Sequence, residues 1–424
     1  MVVASIDLMQ GKAVQLRQGR DKALEVDSPP ALAETFDRYG EVAVIDLDAA
    51  MGTGDNRAVI RQILARAECR VGGGIGTVDE AREWISRGAR KVIIGSKAFE
   101  NDRVNHDFLK ALAEAISPQR VIIAVDALKG EIVTRGWKHR TGLNLYDTVP
   151  QLEKYAGEFL FTCVEREGMM QGIDLRAVKR LRRCTRRKIT VAGGVSRLEE
   201  IQTLAEMKVD VQLGMALYTG AVDLGEAFIA SLNWSKAPLI PTIVQDVQGQ
   251  VLMLAYSNPE SLRRSFAGGR MCYYSRSRQQ LWYKGDTSGH VQHLVRLRAD
   301  CDRDTLLATV QQSGAACHLG SYSCFGERRF SLEELQDVIS SRLEEAPEGS
   351  YTARLRDDVL LTGKILEEAR EVVEADTREE VIWEAADVLY FLTVLLAKRG
   401  ISVQDVLREL YRRRWKGGGK KSMQ

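Results

Sequence analysis

The sequence predicts a multidomain chain: an N-terminal (β/α)8 barrel with an internal half-barrel repeat over 1–233, a middle α+β domain over 236–330, and an all-α domain over 331–424. Three observations predict it. Short β-rich runs alternate with amphipathic stretches up to about residue 230; motifs within that region return at a fixed offset; and the texture then changes twice, to hairpin-like runs and to Glu-, Leu- and Ala-rich helical spacing.

Eight runs supply the barrel strands: "VVASIDL", "VAVIDLD", "CRVGGGI", "KVIIGS", "RVIIAVDA", "FLFTCVE", "KITVAGGV" and "DVQLGMA". Near-continuous apolar strands separated by amphipathic helices imply a parallel sheet covered on its outer face, and eight such units suit a closed barrel. The repeat favours closure over an open sheet. "RVGGGI" ending at Ile75 returns as "TVAGGV" ending at Val195, and "IDLMQGKAV" around Asp7 returns as "VDALKGEIV" around Asp126, about 119 to 120 residues later. After "SLNWSKAPLIP", the runs "IVQDVQGQVLMLAYS" and "MCYYSRSRQQLWYKG" read as hairpins; beyond Ser331 the spacing is helical, with a breaker at "APEGS".

With 424 residues, 45% of them hydrophobic, the chain can bury several cores. Lys and Arg number 60 against 58 Asp and Glu, so no basic excess points to nucleic acid or a membrane surface. The start "MVVASIDLMQ" enters a strand without a signal pattern, and no apolar run reaches membrane-spanning length; a cytoplasmic protein with neither nucleic-acid nor membrane partners is expected. Seven cysteines without a secretion signal fit reduced thiols better than a disulfide framework.

Barrel chemistry sits at the C-terminal ends of strands. Asp7 ends the first strand and Asp126 the fifth, opposite by the repeat, where two carboxylates can act as general acid and base on one substrate. Gly73, Gly74, Gly95 with Ser96, Gly193, Gly194 and Gly214 follow strands three, four, seven and eight, where glycine lets backbone amides approach a phosphate. Two symmetric phosphate sites would fit a substrate phosphorylated at both ends.

The middle segment holds "DCDRDTLLATVQQSGAACHLGSYSC". Cys301, Cys317 and Cys324 are spaced C-x15-C-x6-C, unlike a zinc-finger knuckle; three thiolates on separate elements suit a catalytic zinc with an open fourth position. A structural zinc, or three small buried cysteines beside a solvated acidic turn, is the plainer alternative. Asp300, Asp302 and Asp304 are hard oxygen ligands suited to magnesium, and an extended segment would put them on one face with Cys301 on the other. In the last segment Glu368 with Glu371, and Glu384 with Asp387, stand at i, i+3. Two such helices packed antiparallel would gather four carboxylates, a repulsive arrangement unless a divalent cation neutralises it. Solvated helix faces are the alternative, but Glu384 and Asp387 interrupt the buried-looking helix "WEAADVLYFLTVLLA".

Through "VLMLAY", "YYSRSR", "WYKGDTSG", "DCDRD" and "CHLGSYSCF" the middle segment resembles phosphoribosyl-AMP cyclohydrolase of histidine biosynthesis. The resemblance implies zinc at Cys301, Cys317 and Cys324, magnesium at Asp300, Asp302 and Asp304, and His318 as a proton-transfer group in opening the purine ring between N1 and C6. Arg276, Arg278 and Lys284 become candidate phosphate partners. The last segment resembles phosphoribosyl-ATP pyrophosphohydrolase through "APEGSYTARL", "KILEEAREVVEA" and "EAADVLYFLTVLLAKRGIS". That implies magnesium held by Glu368, Glu371, Glu384 and Asp387 on the nucleotide triphosphate, with Lys364 and Glu367 nearby.

The barrel resembles ProFAR isomerase through "SIDLMQGKAVQL", "VGGGI", "AVDALKGEIVTRGW" and "VAGGV". This implies Asp7 as general base, Asp126 as general acid, Thr162 as a hydrogen-bonding helper in an Amadori rearrangement, and Trp137 stacked on the substrate. The chain departs from the family pattern in three places: Glu167-Gly168-Met169 stands for Asp-Gly-Thr, Gly76 for an arginine, and Gly214-Met215-Ala216 for Gly-Arg-Ala. Together the resemblances imply three consecutive steps on phosphoribosyl nucleotides, in a homodimer built through the middle and C-terminal domains; a bifunctional hydrolase with a degenerate barrel is the alternative.

Overall fold

The structure, a computed structural model, describes residues 1–17 and 21–414. Eight parallel strands form the N-terminal barrel: β1 (Val2–Met9), β2 (Val42–Asp46), β3 (Cys69–Gly72), β4 (Lys91–Ile94), β5 (Val121–Ala124), β6 (Glu158–Thr162), β7 (Lys188–Ala192) and β8 (Asp210–Leu213). They pair in sequence order, and β8 pairs back onto β1 through Val2 and Val211, so the sheet closes. All eight expected strands are present. Helices between them bury one face against the barrel, as Leu109, Leu112 and Ile116 do on His106–Ile116.

β1 and the β5 region each run into an antiparallel hairpin. The two turns share one backbone conformation, Gln10 and Gly11 at φ 52° and 80°, Lys129 and Gly130 at φ 52° and 80°. Positive φ at both central residues is the geometry that matches strand twist in a tight hairpin.

The N-terminal ends of the strands carry a buried ion network. Arg70 on β3 is fully buried between Glu41 and Glu158; Lys91 reaches Glu158 at 2.5 Å and Lys188 reaches Asp210 at 2.6 Å. Burial alone would push the Glu158 carboxyl up, but Arg70, Lys91 and Lys188 overcome it and hold its pKa at about 2.

The middle segment forms β9 (Ile240–Asp246), β10 (Val251–Ser257), β11 (Cys272–Ser275), β12 (Gln280–Tyr283), β13 (Gln292–Ala299) and β14 (Leu306–Gln312), with a helix at Pro259–Gly268. The main sheet runs β10-β9-β14-β13, with β9 and β14 parallel, and β11 pairs with β12. Its core, which includes Val244, Leu252, Leu262 and Leu306, continues into Phe228, Ile229 and Leu232 at the end of the barrel. Phe228 packs edge-on against Phe266 at 5.7 Å. Arg296 and Arg298 of β13 pair with Asp37 and Glu68 of the barrel. Residues 1–327 accordingly form one compact unit and residues 328–424 a second.

The second unit is helical: Leu332–Glu345, Tyr351–Arg354, Asp358–Glu374, Arg378–Lys398 and Val403–Arg414. Thr377 starts its longest helix with a reciprocal capping box to Glu380. Its core, Ile339, Leu355, Leu361, Phe391 and Val394, is small. The apolar character of "WEAADVLYFLTVLLA" translates into burial at Phe391 and Val394 but not at Trp383, which is 71% exposed; Val359, Leu366 and Val373, seven residues apart on the preceding helix, are 84%, 63% and 84% exposed. No helix among the described residues is long and apolar enough to cross a membrane.

The network at the barrel floor makes a pH-dependent prediction. Replacing Glu158 by Gln strands buried Arg70 and Lys91 beside a neutral partner, a lesion of roughly 3 kcal/mol at neutral pH. Because the folded pKa lies below the unfolded one, the carboxylate's stabilisation is present above the unfolded value and is lost as pH falls toward about 2. Denaturant unfolding of Glu158→Gln and the parent should therefore differ most at pH 7 and converge toward pH 3.

Candidate active sites

Three carboxylates meet at the C-terminal mouth of the barrel. Asp7 lies on β1, half-buried, and accepts a hydrogen bond from Ser5 Oγ at 2.9 Å; burial outweighs that bond and pushes its pKa up to about 6. Asp126 follows β5, and burial raises its pKa against hydrogen bonds from Trp137 and Thr162. Trp137 Nε1 donates to Asp126 Oδ2 at 2.8 Å, so the indole is fixed to the carboxylate itself. Glu167 follows β6. Burial, then the charges of Asp7 and Asp126, push its pKa up to about 8, and its Oε2 has no hydrogen-bond partner. Burial thus moves all three carboxyls upward, and Glu167 lies above Asp7, the kind of separation that acid and base roles in one site require.

The glycines beside these acids are demanded by space. A Cβ on Gly73 would lie 2.1 Å from the Asp46 carbonyl, one on Gly193 2.6 Å from Glu167 Oε2, and one on Gly214 2.6 Å from Gln15 Oε1. Glu167, Gly193, Gly194, Gly214 and Met215 line a small pocket past β6, β7 and β8. Gly74 packs against Ala49, and Gly95 leads into Ser96, whose hydroxyl accepts from Arg135 N at 2.8 Å.

In the middle segment the acidic run is a turn, not the extended stretch expected. Arg303, at φ 67°, bends the backbone, and Asp300 Oδ1 accepts from Asp304 N and Thr305 N at 3.1 and 3.2 Å. Bending still gathers Asp300, Asp302 and Asp304: one oxygen from each lies within 4.8 Å of the others, an oxygen donor set that fits a hard divalent cation. Lys236 enters this cluster, 2.6 Å from Asp302 and also paired with Asp304.

Cys317 and Cys324 lie together, with Lys284 buried beside them rather than out on the hairpin with exposed Arg276 and Arg278. Leu319 N donates to Cys317 Sγ at 3.5 Å and lowers that thiol's pKa; burial and Cys317 raise that of Cys324. Exposed His318 adjoins the pair. Cys301 is elsewhere. Cys324 N bonds Leu252 O on edge strand β10, whereas Cys301 lies in the turn leaving edge strand β13, roughly 14 Å across the sheet by strand spacing. One chain thus gathers two of the three expected thiols.

In the helical unit Glu368, Glu384 and Asp387 each bring an oxygen within 4.8 Å of the others. Glu371 stands next to Glu384; burial, then Glu371 and Glu368, raise the Glu384 pKa, and burial, then Glu368, raise that of Asp387. Lys364 bridges Glu367 at 2.9 Å and Glu368 at 3.2 Å. Crowded, mutually repelling oxygens of this kind fit a hard divalent cation.

Comparison with known proteins agrees with this division. Residues 1–223 match the family model described as histidine biosynthesis protein, which covers more than half of the chain. The chain belongs to that family. Residues 253–326 match phosphoribosyl-AMP cyclohydrolase and residues 332–414 match phosphoribosyl-ATP pyrophosphohydrolase, so this histidine-biosynthesis enzyme joins two hydrolase domains to a ProFAR isomerase-like barrel. It is 43% identical over 205 residues to the histidine biosynthesis bifunctional protein HisIE of Pyrococcus furiosus, covering 45% of this chain and 98% of that protein. The HisIE of Bacillus subtilis is 46% identical over 197 residues, covering 43% and 94%. The histidine biosynthesis trifunctional protein of Saccharomyces cerevisiae is 44% identical over 174 residues, covering 41% of this chain and 22% of its own length.

Reading the sequence picked out Glu167 only as a departure from the family's motif; its signal was an acid directly after a barrel strand. Arg303 and Lys236 carried no signal at all, because the partners of Arg303 lie in the barrel and those of Lys236 lie more than sixty residues further along the chain.

The histidine-biosynthesis barrel makes a testable electrostatic prediction. Glu167 has a folded pKa above its unfolded value, so the folded state holds the extra proton and loses stability as pH rises through about 8. Glu167→Gln removes that cost. Its melting temperature should exceed the parent's by a few degrees at pH 8.5 and match it near pH 4.5, read by calorimetry.

Proposed function

We propose that the chain catalyses three consecutive steps of histidine biosynthesis: hydrolysis of phosphoribosyl-ATP to phosphoribosyl-AMP and pyrophosphate, opening of the purine ring to ProFAR, and Amadori isomerisation of ProFAR. The observation that carries this reading is that each family-matched segment holds its own cluster of side chains suited to its step. In the helical unit, Glu368, Glu371, Glu384 and Asp387 would hold magnesium, which would supply charge neutralisation for the triphosphate. Lys364, paired with Glu368 of this cluster and with Glu367, lies where it would receive the phosphates.

In the middle segment, Cys301, Cys317 and Cys324 would hold zinc, which would supply Lewis acidity to the ring-opening step. His318 moves the proton, Asp300, Asp302 and Asp304 hold magnesium, and Arg276, Arg278 and Lys284 receive the phosphate. In the barrel, Asp7 takes a proton from the sugar carbon as general base, and Asp126, held by Trp137 and Thr162, gives one to the ring oxygen as general acid. The paired hairpin turns after β1 and β5 support an origin of the barrel in two copies of one half.

A homodimer is part of the proposal. The zinc set is completed when a second copy brings its own Cys301 to Cys317 and Cys324. The exposed stripe of Val359, Leu366 and Val373 in the helical unit, with Trp383, is an apolar surface that a second copy covers. One observation favours a narrower activity: Glu167, Met169, Gly76 and Met215 replace polar groups of the isomerase motif, so a bifunctional hydrolase with a binding-only barrel is the second reading.

Purified protein given phosphoribosyl-ATP with magnesium and zinc should form the three products in turn. Glu384→Gln should abolish pyrophosphate release while ring opening of supplied phosphoribosyl-AMP persists; Cys317→Ser should do the reverse, and Asp7→Asn should stop only isomerisation. Parental protein that binds ProFAR with no turnover above the Asp7→Asn background selects the second reading. The shared zinc set has its own test. Cys301→Ser and Cys324→Ser are each expected to be inactive in ring opening, and co-refolding them should restore about a quarter of parental activity. No recovery, in mixtures shown to contain mixed dimers, means the three thiols come from one chain.

A further inference from the structure

The turn that carries Asp300, Asp302 and Asp304 owes its shape to residues outside the middle segment. Arg303 sits between two of the acids and adopts the left-handed conformation that a side chain with a Cβ disfavours. Three acceptors hold it there. Its buried guanidinium donates to Ala205 O at 3.1 Å, to Val209 O at 3.2 Å, and to Asp210 Oδ1 at 2.6 Å, all on the barrel floor around β8. From the segment that joins barrel to sheet, Asn233 N donates to Arg303 O at 2.8 Å and Asn233 Nδ2 to Asp302 O at 3.4 Å. With Arg303 drawn into the barrel, Asp302 and Asp304 on either side of it turn the other way, toward Asp300 and Lys236.

We infer that the barrel shapes the divalent-cation site of the neighbouring domain, with Arg303 as the positioning residue that sets how tightly Asp300, Asp302 and Asp304 bind the ion. The inference rests on the reading of those three aspartates as cation ligands. Left-handed backbone at a non-glycine residue is a strained state that persists only when its surroundings over-determine it. The Arg303 contacts are that determination. Without them the turn relaxes, the three carboxylates spread, and a cation must regather them at the expense of its affinity. The barrel therefore contributes to ring-opening chemistry that it does not itself perform. It does so at the end opposite its own mouth. The floor tolerates loss of Arg303, because Asp210 keeps Lys188 at 2.6 Å.

The test is a Mn2+ titration of the full chain, read by electron paramagnetic resonance, in a Glu384→Gln background that removes a ligand from the helical unit's cluster. Arg303→Ala is expected to weaken binding at the turn by roughly tenfold, about 1.4 kcal/mol, with an unfolding midpoint close to the parent's. In the otherwise unaltered chain, the Mg2+ concentration for half-maximal ring opening should rise by the same factor while the rate at saturating Mg2+ is retained; a general structural lesion would lower that rate instead. Should Arg303→Ala not fold, Arg303→Gln, which keeps a polar side chain but cannot reach all three acceptors, is read in the same way. Mn2+ affinity unchanged in the Arg303 variant, with binding lost in Asp302→Asn, overturns the inference and leaves the cation site standing. Affinity unchanged in Asp302→Asn as well means that the three aspartates are not cation ligands.

Discussion

The Asp210 carboxylate at the start of β8 is the point on which much of the molecule turns. It is buried where the barrel closes, and Lys188 and Arg303 converge on it from two different parts of the chain. A buried carboxylate is tolerated only when it is paired, and here Lys188 and Arg303 share that task. Lys188 comes from the neighbouring strand and belongs to the barrel's own network with Glu158 and Arg70. Arg303 comes from the middle sheet and carries the aspartate turn with it. The same buried carboxylate thus serves the barrel floor and, through Arg303, holds the aspartate turn against it.

Each of the three sites crowds acids together, and each answers the repulsion differently. At the barrel mouth burial dominates, and the pKa values of Asp7, Asp126 and Glu167 all rise. The aspartate turn admits the ammonium of Lys236, and the glutamate cluster that of Lys364. The difference fits the chemistry proposed for each. Proton exchange with a sugar needs carboxyls that titrate near neutrality, whereas phosphate and ring hydrolysis need oxygens that give up a monovalent ammonium for a divalent ion.

Exposure separates the two compact units in the same way. The first unit buries the apolar strands of its barrel on both faces, with the last barrel helix passing into the core of the middle sheet. The helical unit leaves a heptad-spaced stripe and Trp383 exposed beside a small core that includes Ile339, Leu361 and Phe391. The apolar run that read as a buried helix is real as a pattern, yet among the described residues it buries Phe391 and Val394 and leaves Trp383 exposed.

Periodicity, repeat and spacing were local facts, and they were enough for the elements that local physics controls. Eight alternating apolar runs determined the strands, because only a parallel sheet covered on its outer face buries such runs. The i, i+3 spacing of Glu384 and Asp387 determined that both face the same way, because helical pitch is fixed. Asp7 and Asp126 were legible as strand-end acids for the same reason. Tertiary structure decided what depends on distance through space. It bent Asp300–Asp304 into a turn because Arg303 finds its acceptors in the barrel, put Lys284 against the thiols, and left Cys301 across the sheet from Cys317 and Cys324. Charges find partners by proximity in the folded state, and no spacing along the chain encodes a carboxylate that lies 93 residues away from the guanidinium it holds.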